Sequence, residues 1–398
     1  MAERTHDIWN DDDGEERPRK RRKARGFLVF FLTLAAVLAV VLLAAYRDGT
    51  GFDVLRRYFN YGSVEHASGD ILYEYDTAAQ NRFAVLGDAL VVLSETSLQV
   101  LDQDGGQIWS TNVSMENPAL TQGGGRAAAY DIGGGSLYVV DEKGLVAALT
   151  AGEEEPFIAA ALNSKGWLAV TAEKRNFKGT VRVYDREIDQ VIAEFDSSSR
   201  FVVDACVTDD CETLAAVTLG QENSVFVSNV VLYDLTQAGE VEPAADYDVS
   251  DGLVAWIGQQ DGKLVTVADT CLTFADGAGE ITASYQYNGA YLRDYDLSGD
   301  GFAVLLLNRY RSGSVGRLVT VDPQGAELGS LDVNEEVLSI SAAGRYIAVL
   351  YTDRVVVYNQ DMQAYASLKG IGSAKEVLVR ADGSALLLSS GSAGLFLP

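Results

Sequence analysis

Beyond residue 70 the hydrophobic positions fall in short runs rich in Val, Leu, Ala, Tyr and Ile, broken by Gly- and Asp-bearing turns and almost free of helical period. Runs of this kind predict short buried strands and an all-β domain. The pattern also repeats. A turn followed by an apolar run begins at Gly87, Gly125, Gly166, Glu212, Gly262, Gly301, Gly344 and Gly383, at intervals of 38, 41, 46, 50, 39, 43 and 39 residues. Glycine holds seven of the eight positions, as expected where a tight turn needs positive φ.

A second mark follows each run: an apolar or aromatic residue, then Asp, then a turn. It stands at Leu101-Asp102, Val140-Asp141, Tyr184-Asp185, Tyr233-Asp234 and Val321-Asp322, with Tyr358-Asn359 as a variant and Phe274-Ala275-Asp276 as a looser form. Each unit of about 42 residues then predicts four strands, which is the blade of a β-propeller. The eighth unit, from Glu376 to Pro398, has room for three strands only, while Ile71–Tyr75 is a strand ahead of the first unit. Pairing the two closes the ring and removes an exposed edge. The expectation is an eight-bladed propeller over residues 70–398 whose last blade is completed by the N-terminal strand, with seven blades as the alternative.

The N-terminal region follows a different pattern. Phe27 to Ala45 is nineteen residues without a charge, and Thr33 is its one polar side chain. As a helix it would be roughly 28 Å long, close to the hydrocarbon thickness of a bilayer. The run is longer than the apolar region of a cleaved signal peptide, and Leu43 stands where a cleavage site wants a small residue. An uncleaved signal-anchor is expected. Seven of the nine residues Arg17–Arg25 are basic, and positive flanks stay in the cytoplasm. The expected organisation is a cytoplasmic, disordered tail (1–26, acidic then basic), a transmembrane helix (27–45), a linker (46–69) and an extracytoplasmic propeller (70–398).

Charge and histidine content narrow the function. The chain has 31 Lys+Arg against 57 Asp+Glu, a formal net charge of −26. The first 26 residues hold eight basic and seven acidic residues, so residues 27–398 carry a net of −27. Such acidity speaks against nucleic-acid binding, which needs clustered cations. The two histidines, His6 and His66, both precede the propeller. A Ser-His-Asp triad, a Cys-His pair or a His-ligated zinc site cannot be built there.

The propeller region resembles extracytoplasmic propellers with quinoprotein-like, WD40-like repeats, on turn–strand units such as Gly344–Asn359 and Asp382–Leu388. The whole plan is similar to an uncharacterised bacterial family of single-pass membrane proteins carrying such a propeller. Asp102 to Trp109 is similar to the quinoprotein repeat of Asp, a Gly turn and a docking Trp, but the Trp comes one residue early and no other blade has it. Trp109 therefore reads as packing between blades, Trp167 and Trp256 read as core, and no cofactor is expected.

Other candidate chemistry is sparse. Asp294, Asp296 and Asp300 could suggest a calcium loop, yet they end in the turn that recurs in every blade and lack a closing glutamate; no metal site is expected. Cys206 and Cys211 flank a predicted turn and could form a disulfide, whereas Cys271 reads as a small buried hydrophobe. Three links between second and third strands are extended: 173–179, 220–225 and 308–316. In a propeller these emerge on one face. Lys174, Arg175, Phe177, Lys178, Arg309, Tyr310 and Arg311 make them a candidate partner-binding rim. The reading is a non-catalytic binding or scaffold module at the cell membrane for an extracytoplasmic protein or envelope polymer. The alternatives are a carboxylate-dependent enzyme on glycans or peptides and an envelope sensor with a short cytoplasmic tail.

Overall fold

The computed structural model describes residues 20–47, 53, 57, 71–78, 80–237, 242–249 and 252–398. The chain divides into two compact units, Met1–Gly62 and Ser63–Pro398. The first contains a helix, Lys20–Arg47, with side chains described over 28–41 and exposed throughout. Its Thr33 hydroxyl donates to the carbonyls of Val29 and Phe30, each at 2.9 Å. Among the described residues no helix is long and apolar enough to cross a membrane, so the expected span over 27–45 gains no support here. Residues 1–19 of the expected tail and most of the 46–69 linker lie outside the described residues.

The second unit is an all-β propeller of eight blades, not seven. Blades one to seven are four-stranded antiparallel meanders over 82–112, 118–150, 157–197, 201–249, 254–286, 291–333 and 337–369. Blade eight takes three strands from 376–396 and its fourth from Ile71–Glu74, which pairs with Ser392–Phe396. The first strands of adjacent blades meet around the axis, and the fourth strands form the periphery.

The core lies between blades. Eight hydrophobic clusters are found, one at each interface of the ring. Alternate residues of a central strand serve opposite interfaces: Ala89, Val91 and Leu93 pack toward blade two, while Leu90 and Val92 pack toward blade eight. Burial on both sides is why these strands read as unbroken apolar runs rather than as an alternation. The fourth strands, with one side in water, recover the alternation, as in Gln107–Asn112 and Ile281–Gln286. Trp109 packs into the interface of blades one and two. It lies over Gly144 (φ +119), where a Cβ would come within 2.9 Å of its side chain.

The turns explain the two repeat marks. All seven repeat glycines take positive φ, from 57° to 84°; at the eighth position the left-handed residue is Cys211 (φ 64°), just ahead of Glu212. The recurring Asp caps the third-to-fourth strand turn with its own carboxylate. Asp102 Oδ1 accepts from the amides of Asp104 (2.9 Å) and Gly106 (2.7 Å). Asp141, Asp185, Asp234, Asp276, Asp322 and Asn359 do likewise, the Asx-turn chemistry that favours these residues.

Ring closure depends on two tyrosines. Tyr73 is fully buried between blades eight and one. The Tyr75 hydroxyl donates toward the carbonyls of Ser389 (2.9 Å) and Ser392 (2.7 Å). Tyr73→Ala should therefore cost about 3–5 kcal/mol in denaturant unfolding, whereas Ile71→Ala, exposed on the same strand, should stay within about 0.5 kcal/mol. Equal small effects would show that this strand does not close the ring.

Candidate partner-binding face

Every blade runs first strand to fourth in the same antiparallel order, so its two kinds of connection lie at opposite ends. First-to-second and third-to-fourth turns form a tight face of Gly and Asx turns. Second-to-third loops and the links between blades form an open face. Cavities of about 470, 530 and 620 Å³ are all lined by open-face connections, at the boundaries of blades six and seven, three and four, and four and five.

The extended links have different structures. The blade-four segment is not a loop but a continuation of the ladder. Strands Thr213–Glu222 and Val225–Asp234 pair to Glu222↔Val225 and turn through Asn223 and Ser224, both at positive φ, as a two-residue hairpin requires. Arg200 braces it, donating to Thr218 Oγ1 (3.1 Å), Glu222 Oε1 (3.1 Å) and the Val227 carbonyl (2.6 Å). In blade six the loop is tied by Asn308 Nδ2 to the Gly313 carbonyl (3.1 Å) and by the Arg309 amide to the Val315 carbonyl (2.9 Å).

The predicted rim residues share this face but not one site. Lys174, Arg175, Phe177 and Lys178 line the cavity between blades three and four. Arg311 lines the one between blades six and seven. Arg309 stands outside it with its guanidinium 5.6 Å from the ring centre of the exposed Tyr310. Lys174 is not a free cation. Its Nζ lies 2.8 Å from Glu194 and 2.7 Å from Asp196. Burial would push the ammonium down, but hydrogen bonds and charge from Asp196 and Glu194 hold it above the ordinary lysine value. Arg175 is well exposed and only loosely near Glu154, at 3.7 Å. Lys178 sits 4.7 Å over the Phe201 ring.

Val225, at the end of the extended 220–225 link, is 63% exposed, and Phe201, Phe226 and Leu253, outside the predicted links, are 53, 60 and 44% exposed. Val225 and Phe226 had a legible signal: apolar residues at a hairpin tip have no core to face.

Cys206 and Cys211 are both free thiols, which corrects the expected disulfide. Cys206 packs toward blade five and Cys211 toward blade three; side chains on opposite sides of one sheet cannot bridge. Cys271 is fully buried, as expected.

The acidic residues weighed as a calcium loop have another task. Asp296 accepts from the amides of Ser298 and, across the blade boundary, Ala342, both at 2.8 Å. Asp294 accepts from Tyr295 (2.9 Å) and Ile340 (3.4 Å), and Asp204 from Ala205 (2.9 Å) and Ile257 (3.1 Å). Each carboxylate thus clamps the first strand of the next blade. Among the described residues no His, Cys, Asp and Glu cluster could hold a metal. Burial pushes Asp204 up to about 7 and Asp294 up to about 6. Burial likewise raises Glu376 to about 7; Arg82 opposes the shift and Asp294 adds to it.

Residues 61–378 match the profile of a family of unknown function (DUF5711), and the chain belongs to that family. Solved structures similar to it include the C-terminal WD40 domain of Sif2, at 14% identity over 83% of this chain and 99% of that one, with a TM-score of 0.59. Apo AztD from Citrobacter koseri matches at 12% identity over 83% and 94%, with a TM-score of 0.54. At such identities the likeness is one of fold. No functionally curated protein matches the sequence significantly.

A carboxyl raised in the folded state contributes stability that is complete below its unfolded value and is lost as pH rises through the folded one. For Asp204, Asp294 and Glu376 that loss sets in above the ordinary carboxylate value of about 4 and is complete near pH 6–7, and above about pH 5 ordinary exposed carboxylates stay ionised. The melting temperature should therefore fall between pH 5 and pH 8, and Glu376→Gln should flatten that slope. An unchanged slope in the variant would remove Glu376 from the account.

Proposed function

We propose that this chain is a non-catalytic, membrane-tethered propeller that holds its open face outside the membrane to capture a protein partner of the cell envelope. The observation that carries the reading is the inequality of the two faces. Three cavities open on one of them, beside the exposed rings of Phe177, Phe201, Phe226 and Tyr310. The other is built from short turns in which the recurring Asp or Asn side chain accepts from its own backbone. Exposed aromatic residues on loops carried by a rigid scaffold suit partner binding. The non-catalytic reading is supported by the axial carboxylates, since Asp204, Asp294 and Asp296 give both oxygens to backbone amides. The tether rests on the charge-free run Phe27–Ala45 and the basic cluster before it. Thr33 is compatible with lipid because its hydroxyl is bonded within its own helix.

Photo-crosslinking residues placed in the full chain test the face. Adducts in living cells should form from positions 226 and 310 on the open face and not from positions 103 and 324 on the tight one. Equal adducts from both faces would overturn the reading. A membrane-impermeant thiol reagent should label Gln324→Cys in intact cells; labelling only after lysis would refute the outward orientation.

A further inference from the structure

We propose that the cleft between blades six and seven is a carboxylate-recognition site, and that it takes an acidic segment of a polypeptide partner. The inference rests on the open-face reading and gives it a chemistry. The cleft, about 470 Å³, has Arg293 and Arg311 in its walls and Leu306, Val333 and Val337 among its lining residues, a volume within the usual range for ligand sites.

The propeller is strongly acidic, and two neighbouring arginines are consumed internally: Arg317 lies 2.7 Å from Glu327, and Arg354 grips Glu335 through both terminal nitrogens. Glu335 and Glu336 are both cleft residues; Glu335 is neutralised from the side of blade seven, which leaves two arginines against the single carboxylate of Glu336. Among the described residues, neither Arg293 nor Arg311 has a carboxylate within ion-pair distance. Arg311 is exposed, its guanidinium 5.7 Å from the Tyr291 ring centre, on a loop tied by Asn308 and Arg309. Its planar fork matches a carboxylate.

The lining favours a peptide over an acidic sugar. Leu306, Val333 and Val337 offer apolar contact to an aliphatic neighbour of the acidic residue, whereas sugar hydroxyls set against them would lose their hydrogen bonds. The Asn308 amide nitrogen spends one of its two N–H groups on Gly313. The segment therefore pairs an acidic residue, between the arginines, with an aliphatic one on the floor.

The test uses the full chain in detergent and a short fluorescent peptide carrying two Glu-Leu pairs in a Gly-Ser background, read by anisotropy. The wild-type protein should bind it, and binding should weaken with added salt. Arg293→Gln with Arg311→Gln should weaken it about tenfold or more, equivalent to roughly 1.4 kcal/mol, as should replacing Glu by Gln in the peptide. Lys143→Gln, in a turn of the tight face, should leave affinity unchanged. If the double variant fails to fold, the Gln peptide and the salt series still test the assignment. No binding, equal binding of the Gln peptide, or equal loss from Lys143→Gln would overturn it. Cleft-dependent binding of polygalacturonate in place of the peptide would overturn the peptide class. Open-face adducts from positions 226 and 310 that persist through any of these failures would leave the capture reading standing and remove this inference alone.

Discussion

No blade of this protein has a core of its own. The hydrophobic clusters lie between blades, and each central strand divides its side chains between two neighbours. A blade is therefore stable only when both neighbours are present, and the ring must close. Closure is supplied by a strand more than 300 residues distant in sequence from the strand it pairs with: Ile71 faces Gly394. The pairing also covers the edge of Ser392–Phe396, a third strand that would otherwise stand open to another chain.

Polar groups obey the same constraint. Around the axis, first strands have no same-sheet partner on their inner edge, yet backbone amides left unpaired there would be costly. Side chains of the preceding blade satisfy several of them: Asp204 reaches Ile257, Asp294 and Asp296 reach Ile340 and Ala342, and Ser339 and Ser341 reach Val377 and Val379. Part of the protein's acidity is thus internal and structural, a use that composition does not distinguish from solubility.

The same meander that forces alternating burial also divides the ends of the ring. Turns on the tight face are constrained by left-handed glycines and by carboxylates bonded to their own backbone. Connections on the open face are free to lengthen, and blades three, four and six have done so. Binding capacity collects there because extension of a loop does not disturb the interfaces that hold the ring together.

Blade number, closure and turn positions were legible in the sequence because each rests on local chemistry repeated at a fixed interval. Positive φ calls for glycine, an Asx turn calls for Asp or Asn, and two-sided burial calls for an apolar run. What the charged residues and cysteines do was not legible. Lys174 is spent on Glu194 and Asp196 in the next strand but one, Asp294 and Asp296 on the following blade, and Cys206 and Cys211 on opposite sides of one sheet. Bulges at Val202/Asp204, Leu292/Asp294 and Val337/Ser339 shift the register of the first strands. A shift of one residue exchanges the sides of a strand. The sequence alone determined the propeller repeat and how each blade turns, and pointed to eight blades with seven left open; only the tertiary structure decided for eight and which neighbour each polar side chain meets, because that depends on strand register and on the side of the sheet a residue occupies.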